Sequence, residues 1–397
     1  MLLESGGLPR SGGEKDGMYK LHAIAGPPLA LMAVLTLGGC GGGSGGGVVS
    51  TPAPTPTPTP APTPTPAPAP PPTNFNTTEY SNSNAARFNG AITAWQGNAT
   101  GAGVTIGVVD TGIDTSSAEF TGRISTASGA FGGNSNYNDT DGHGTAVTGI
   151  LAANRNGKEI MGVAFDATVM ALRADRSGSC DDQDGCSFFD SDIAAALNWA
   201  TDHGARVVNL SLGGAGGTSF SLRNAVDRAT KAGIILVVSA GNERDDTSPD
   251  YDPNNPSPFA QALAASGNGL VIIVNSVDAN GQISAFSDLA GTSQNIVIGA
   301  LGEKVRSIDL LNDPATYYIY SGTSFAAPQV AGAVALLAQA FPNLSSAAIV
   351  DLILSNARDA GATGTDTIYG RGILDIAAAF APSGTLGLGG TAVPISL

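Results

Sequence analysis

Basic residues are scarce in this 397-residue chain: 18 Lys and Arg stand against 33 Asp and Glu, a formal net charge of −15. Such an excess repels phosphate and leaves no basic stripe, which excludes nucleic acid as a partner. Long apolar runs are also missing. The stretch 21–37 is broken by Pro27-Pro28, and the uninterrupted Leu29–Leu37 falls short of the about 20 residues a membrane span needs. The 54 glycines follow no period of three, so the chain is not collagen-like. Three cysteines, with no His beside them, are too few for a thiolate metal centre, and no metal ligand set is assigned. Proline is rare outside one tract: 12 of 24 lie between Pro52 and Pro72, which cannot contribute a packed core. From about residue 76 the apolar residues come in helix- and strand-length runs, unlike a disordered chain. One large acidic globular domain is expected, attached to something at its N-terminus.

The N-terminal segment reads as an export signal. Lys20 supplies a positive start and Leu29–Leu37 the apolar region. Met18 opens a more typical signal than Met1, so residues 1–17 are expected to precede the true start. The run Leu37-Gly38-Gly39-Cys40 resembles the lipobox of bacterial lipoproteins, in which an aliphatic and two small residues precede a Cys that becomes diacylated. Residues 1–39 are then the signal and Cys40 the lipidated terminus, since two or three acyl chains anchor stably. The plainer alternative is simple secretion. Residues 40–75 form a spacer, flexible through Gly41–Gly47 and semi-rigid polyproline II through Thr51–Pro72. Its 22 residues at about 3.1 Å each would hold a domain roughly 70 Å from the anchor. With Cys40 assigned to lipid, Cys180 and Cys186 are left as a pair in the polar loop 177–187, which fits a short-loop disulfide in an oxidising compartment.

Residues 76–380 alternate apolar strands with amphipathic helices. The strands are expected at Gly103–Val109, Thr168–Leu172, Ala205–Leu210, Gly233–Val238 and Leu270–Val277. Helices are expected at Thr145–Asn154, Asp190–His203, Leu222–Ala232 and Ala326–Ala340. That alternation predicts βαβ units: an α/β fold with a mostly parallel sheet and helices on both faces. Ligand sites in such sheets lie beyond the carboxyl ends of the strands, where polar residues matter most.

Three segments stand out there. Asp110, in Val-Val-Asp-Thr-Gly-Ile-Asp, follows a buried strand, where a carboxylate is costly unless it orients a partner. His143, in Asp-Gly-His-Gly-Thr, opens a helix between two glycines. Beyond the signal only His143 and His203 can supply an imidazole base. His203 ends a helix, where a ring suits the dipole and a structural role is expected. Ser324 begins a long helix of small residues, where free N–H groups point at any developing anion.

In the order Asp110, His143, Ser324, these segments resemble the subtilase family of serine endopeptidases. The resemblance covers roughly residues 76–380 and implies a three-layer subtilisin-like fold, protein or peptide substrates, a monomer and no required cofactor. It implies that Ser324 is the nucleophile, His143 the general base and Asp110 its orienting partner. Asn242, in Ser-Ala-Gly-Asn-Glu after an apolar strand, would donate to the oxyanion. Ser211, Leu212 and Gly213 would pair with substrate backbone and, with Ala240 and Gly241, line the S1 pocket, where Glu243 would favour basic P1 residues. A structural Ca²⁺ is a further expectation, with clustered oxygens at Asp181, Asp182 and Asp184. Sedolisins share the Gly-Thr-Ser segment but use a Glu base and no catalytic His.

The match departs from the family in two respects. Only 35 residues, most of them Gly, Thr or Pro, separate Cys40 from about residue 75, so no globular propeptide fits there. Segments near 187–192 and 370–380 are similar to autotransporter subtilases, but no run of barrel strands follows Phe380, and residues 381–397 form a tail. The function expected is thus a serine endopeptidase tethered at the bacterial cell envelope. The alternative is a catalytically silent subtilase-like binding module displayed on a stalk. Mass spectrometry of the mature protein is expected to find an acylated N-terminal Cys40; an unmodified terminus downstream of Cys40 would mean simple secretion.

Overall fold

Runs rich in Val and Ile build the centre of the protein. The computed structural model describes residues 73–181, 186–216, 218–245, 252–310 and 317–381, together with the two-residue strands Leu386–Gly387 and Pro394–Ile395, which pair antiparallel. The compact unit takes in the chain from Asn74. The signal, Cys40 and the proline-rich spacer lie outside the described residues.

Three short helices lead in: α1 (Thr78–Asn82), α2 (Asn84–Phe88) and α3 (Ala91–Gln96). Seven strands follow, β1 (Thr105–Asp110), β2 (Gly129–Ala130), β3 (Thr168–Arg173), β4 (Val207–Leu210), β5 (Ile235–Ser239), β6 (Val271–Val277) and β7 (Val297–Leu301). Between them run α4 (His143–Ala152), α5 (Asp190–Asp202), α6 (Phe220–Lys231) and α7 (Pro258–Ser266). The hairpin β8 (Val305–Ile308) and β9 (Tyr317–Tyr320), then α8 (Thr323–Ala340), α9 (Ser346–Ser355) and α10 (Ile376–Ala379), complete the unit.

The seven strands pair in parallel in the order β2-β3-β1-β4-β5-β6-β7. Successive residues of each strand alternate between faces, which explains the two core clusters. Ile106, Val108, Val169, Ala171, Val207 and Val237 pack with α4, α8 and α9. Met170, Leu172, Val208, Leu210, Leu236 and Val238 pack with α5, α6 and α7. The expected three-layer α/β architecture is therefore present. From β1 the chain first builds outward to β2 and β3, then crosses to β4 and beyond. The reversal falls between β1 and β4, where such sheets open a crevice at their carboxyl ends.

Several boundaries differ from the sequence expectation. β1 starts at Thr105, because Gly101 and Gly103 turn the chain with positive φ. It includes Asp110, which is its last residue. The helix expected from Thr145 begins at His143, and the one expected from Ala326 begins at Thr323. The folded region also starts earlier than residue 76. Phe75 is buried against Trp95 and Phe165 with ring centroids 5.9 and 6.1 Å away.

That cluster secures the N-terminal helices. Trp95 is fully buried, meets Tyr80 and Phe165 edge-on at 5.4 and 5.2 Å, and donates its indole N–H to Val163 O at 2.9 Å. Trp95→Ala is expected to cost about 3–5 kcal/mol, read as a lower urea midpoint at an unchanged slope; a shift under about 1 kcal/mol would show the helices to be an appendage.

Candidate active site

Asp110 ends the central strand with no exposure. Its Oδ1 accepts the Thr111 N–H at 2.8 Å and lies 2.7 Å from His143 Nδ1. A carboxylate only accepts, so this contact places the proton on Nδ1 and leaves Nε2 as the ring's lone-pair nitrogen.

His143 reaches Asp110 because the chain permits an unusually close approach. Gly142 precedes the helix at φ 106°, a left-handed conformation that favours glycine. A Cβ on Gly144 would stand 2.4 Å from the Gly112 carbonyl, so only glycine fits there. Gly144 N–H donates to Thr111 Oγ1 at 2.8 Å, and Asp114 N–H to Thr145 Oγ1 at 2.9 Å. Asp139 takes the orphan donors at the start of α4. It accepts from the N–H groups of Asp141, Gly142 and Thr145 and from Thr145 Oγ1, at 3.0, 3.0, 2.8 and 2.6 Å. Nothing in the sequence reading pointed to Asp139, although an Asp shortly before a helix start is a recognisable cap signal.

The His143 side chain is 3 % exposed. Burial opposes its charged form, but the charge and hydrogen bond of Asp110, with Asp141 and Asp139 behind them, outweigh burial and hold its pKa above the ordinary histidine value. Phe325 packs beside the ring at 5.5 Å between centroids.

Ser324 is the second residue of α8, is buried, and directly precedes the Phe325 that packs on the His143 ring. Its Oγ donates to Ser211 O at 3.3 Å. No hydrogen bond joins it to His143 Nε2, which has no partner among the described residues. The pair Asp110–His143 is thus assembled, while Ser324 Oγ is turned toward β4.

Pro328 lies four residues after Ser324, inside the helix. Proline has no N–H, so the Ser324 carbonyl is denied its intrahelical donor. Ser211 Oγ supplies one instead, at 2.7 Å, and is itself held by Asn209 Nδ2 at 2.9 Å. The sequence reading missed this use of the Ser211 side chain. The signal that could have found it is the proline at that spacing.

Asn242 follows β5. Its Oδ1 accepts from Thr323 N–H at 2.8 Å and Thr323 Oγ1 at 3.0 Å, while Gly241 N–H donates to Thr323 Oγ1 at 3.4 Å. With the oxygen occupied, the amide presents its NH₂ on the other side. Thr323, absent from the sequence reading, orients that side chain. Of the other expected substrate-binding residues, the Leu212 carbonyl is taken by Ser239 Oγ at 2.8 Å, whereas Gly213 makes no hydrogen bond among the described residues. Ala240 is buried, its carbonyl accepting Ser257 N–H at 2.7 Å. Buried Glu243 accepts the Asn242 N–H at 2.8 Å and reaches within 3.9 Å of a Cβ built on Gly213.

His203 caps α5, its Nδ1 2.8 Å from Trp199 O and its ring stacked on Trp199, far from this chemistry in role. Cys180 and Cys186 form a disulfide. The expected calcium oxygens of Asp182 and Asp184 lie outside the described residues, as does the Asp181 side chain. Among the described residues no helix is long and apolar enough to cross a membrane.

With this geometry in view, the comparisons with known proteins are direct. The model of the Subtilase family matches residues 101–372. Fervidolysin of Fervidobacterium pennivorans is 34 % identical over 72 % of this chain, which spans 41 % of that protein. Subtilisin DY of Bacillus licheniformis is 32 % identical over 70 % of this chain and 91 % of its own length. Among solved structures, fervidolysin, described as a keratinolytic enzyme related to subtilisin, superposes with a TM-score of 0.64 at 30 % identity, covering 79 % of this chain and 49 % of its own. A Pseudoalteromonas arctica protease gives 0.61 at 29 % identity over 77 % of this chain and 98 % of its own. A matched model spanning most of the folded unit, and relatives at this level of identity, establish that the chain belongs to the subtilase family.

Proposed function

We propose that this protein is a serine endopeptidase that hydrolyses peptide bonds through Asp110, His143 and Ser324, and that lipid on Cys40 tethers it at the bacterial envelope. The observation that carries the reading is the fully buried Asp110 bonded to His143 Nδ1, with Ser324 at the N-terminus of the helix whose Phe325 packs on that ring.

In the first step Ser324 Oγ leaves the Ser211 carbonyl and attacks the scissile carbonyl carbon while Nε2 of His143 takes its proton. Asp110 keeps the other nitrogen protonated and stabilises the imidazolium. The oxyanion lies between the Ser324 N–H and the Asn242 amide, which Thr323 has already oriented, so little reorganisation is needed as charge develops. The imidazolium then protonates the leaving amine, and water hydrolyses the acyl-enzyme by the same transfers. Gly213, whose backbone groups bond to none of the described residues, is suited to pair with an extended substrate, and Glu243 beside it favours a basic P1 side chain.

The silent-module reading has one observation on its side, the Ser324 Oγ turned toward Ser211 O. A fluorophosphonate probe separates the two: labelling is expected at Ser324 and lost in Ser324→Ala, and well-folded protein left unlabelled sinks the enzyme. Asn242→Ala is expected to lower kcat by about 10²–10³-fold with KM little changed; an unchanged kcat would remove Asn242 from the chemistry.

A further inference from the structure

Asp141 is a buried-side carboxylate that the chemistry above does not use. It stands two residues before His143, in the loop that delivers the ring to Asp110, and its Oδ2 accepts the His143 N–H at 3.2 Å. Its other neighbours are the sulfurs of Cys180 and Cys186, which with an Asp141 oxygen all lie within 4.8 Å of one another. A disulfide has no proton to donate, so this side of the carboxylate gains no hydrogen bond from it.

The surrounding charges differ in how far they are already engaged. Asp139 is committed to four donors at the start of α4. Asp110 is bonded to the ring directly. Asp309, after β8, lies 2.7 Å from a Cβ built on Gly142 and accepts the Leu310 N–H. The guanidinium on the β3 side, Arg173, is occupied by Asp175, the Asn138 carbonyl and Thr140 Oγ1. From α8 the ring meets Phe325, which is uncharged. Asp141 and Asp309 are therefore the carboxylates near His143 held by the fewest donors, and of the two it is Asp141 that bonds the His143 backbone.

We propose that Asp141 is a positioning residue for His143: it fixes the first turn of α4 through the His143 N–H, and its charge supports the imidazolium formed when Ser324 gives up its proton. The role rests on the protease reading above. Electrostatics agree in direction. Burial pushes the Asp141 carboxyl up, and the His143 ring pulls it down most among the opposing influences. On His143 itself, Asp141 acts after burial and Asp110, raising the ring's pKa.

Asp141→Asn keeps an oxygen able to accept the His143 N–H and removes only the charge. The decisive measurement is NMR titration of the imidazoles in the full chain carrying Ser324→Ala, with and without Asp141→Asn. His143 is expected to titrate at lower pH in the double variant while exposed His203 stays put. An unmoved His143 overturns the proposal. Because this readout needs no turnover, an inactive wild type would sink the protease reading separately. In the active protein, the acid limb of the kcat/KM profile is expected to move to lower pH, because the base is neutral sooner. The plateau kcat should fall about three- to tenfold, because one of several carboxylates supporting the imidazolium loses its charge. Asp141→Glu should restore the limb. A raised KM with the acid limb in place would overturn the proposal, since it would make Asp141 a substrate contact.

Discussion

Everything at this site depends on keeping a carboxyl group at the end of the central strand, where no solvent reaches it. Burying Asp110 is tolerable only if donors come to it. The Thr111 N–H is local, but the imidazole must be brought from a helix that begins 33 residues later. The seam between β1 and α4 answers that need. Gly144 lets the backbones touch, Thr111 and Thr145 bond across the gap, and Asp139 satisfies the helix end that the approach would otherwise strand. A helix N-terminus disfavours a cation, and Asp139 and Asp141 offset that field at the His143 ring.

The nucleophile side is organised differently. There the constraint is steric and covalent: Pro328 removes a donor, and the Ser324 carbonyl turns to Ser211. Thr323 does for Asn242 what Asp110 does for His143, occupying one end of an ambivalent side chain so that the other end is defined. The N-termini of α4 and α8 thus meet, through the His143 and Phe325 rings, one carrying an imidazole and the other a serine.

Much of this was legible in the sequence. The apolar runs gave β1, β3, β4, β5 and β6 to within a few residues because strands buried on both faces are almost continuously apolar. Asp110, His143 and Ser324 were visible because each breaks such a pattern at a strand end or helix start. The structure joins Asp110 to His143 and packs Phe325, next to Ser324, on the His143 ring. Other features left no such mark. β2 has two residues, and the β8–β9 hairpin carries Arg306 and Ser307 among its apolar residues. Helices α1 to α3 are five or six residues each, too short for periodicity to accumulate, and they are held by the aromatic packing of Phe75, Tyr80 and Trp95. Roles such as those of Thr323, Ser211 and Asp139 exist only through partners distant in sequence. Residue types alone could not reveal them.

The reciprocal bonding of Ser211 and Ser324 has a dynamic consequence. Ser211 Oγ holds the Ser324 carbonyl, and Ser324 Oγ rests on the Ser211 carbonyl. The first turn of α8 is therefore latched sideways to the strand edge instead of along its own axis. Helix ends ordinarily fray independently of their neighbours. Here, opening that turn must drag the edge of β4 with it. Thermal motion then displaces the Ser324 hydroxyl and the backbone after β4 together, and the spacing between them is kept while both move.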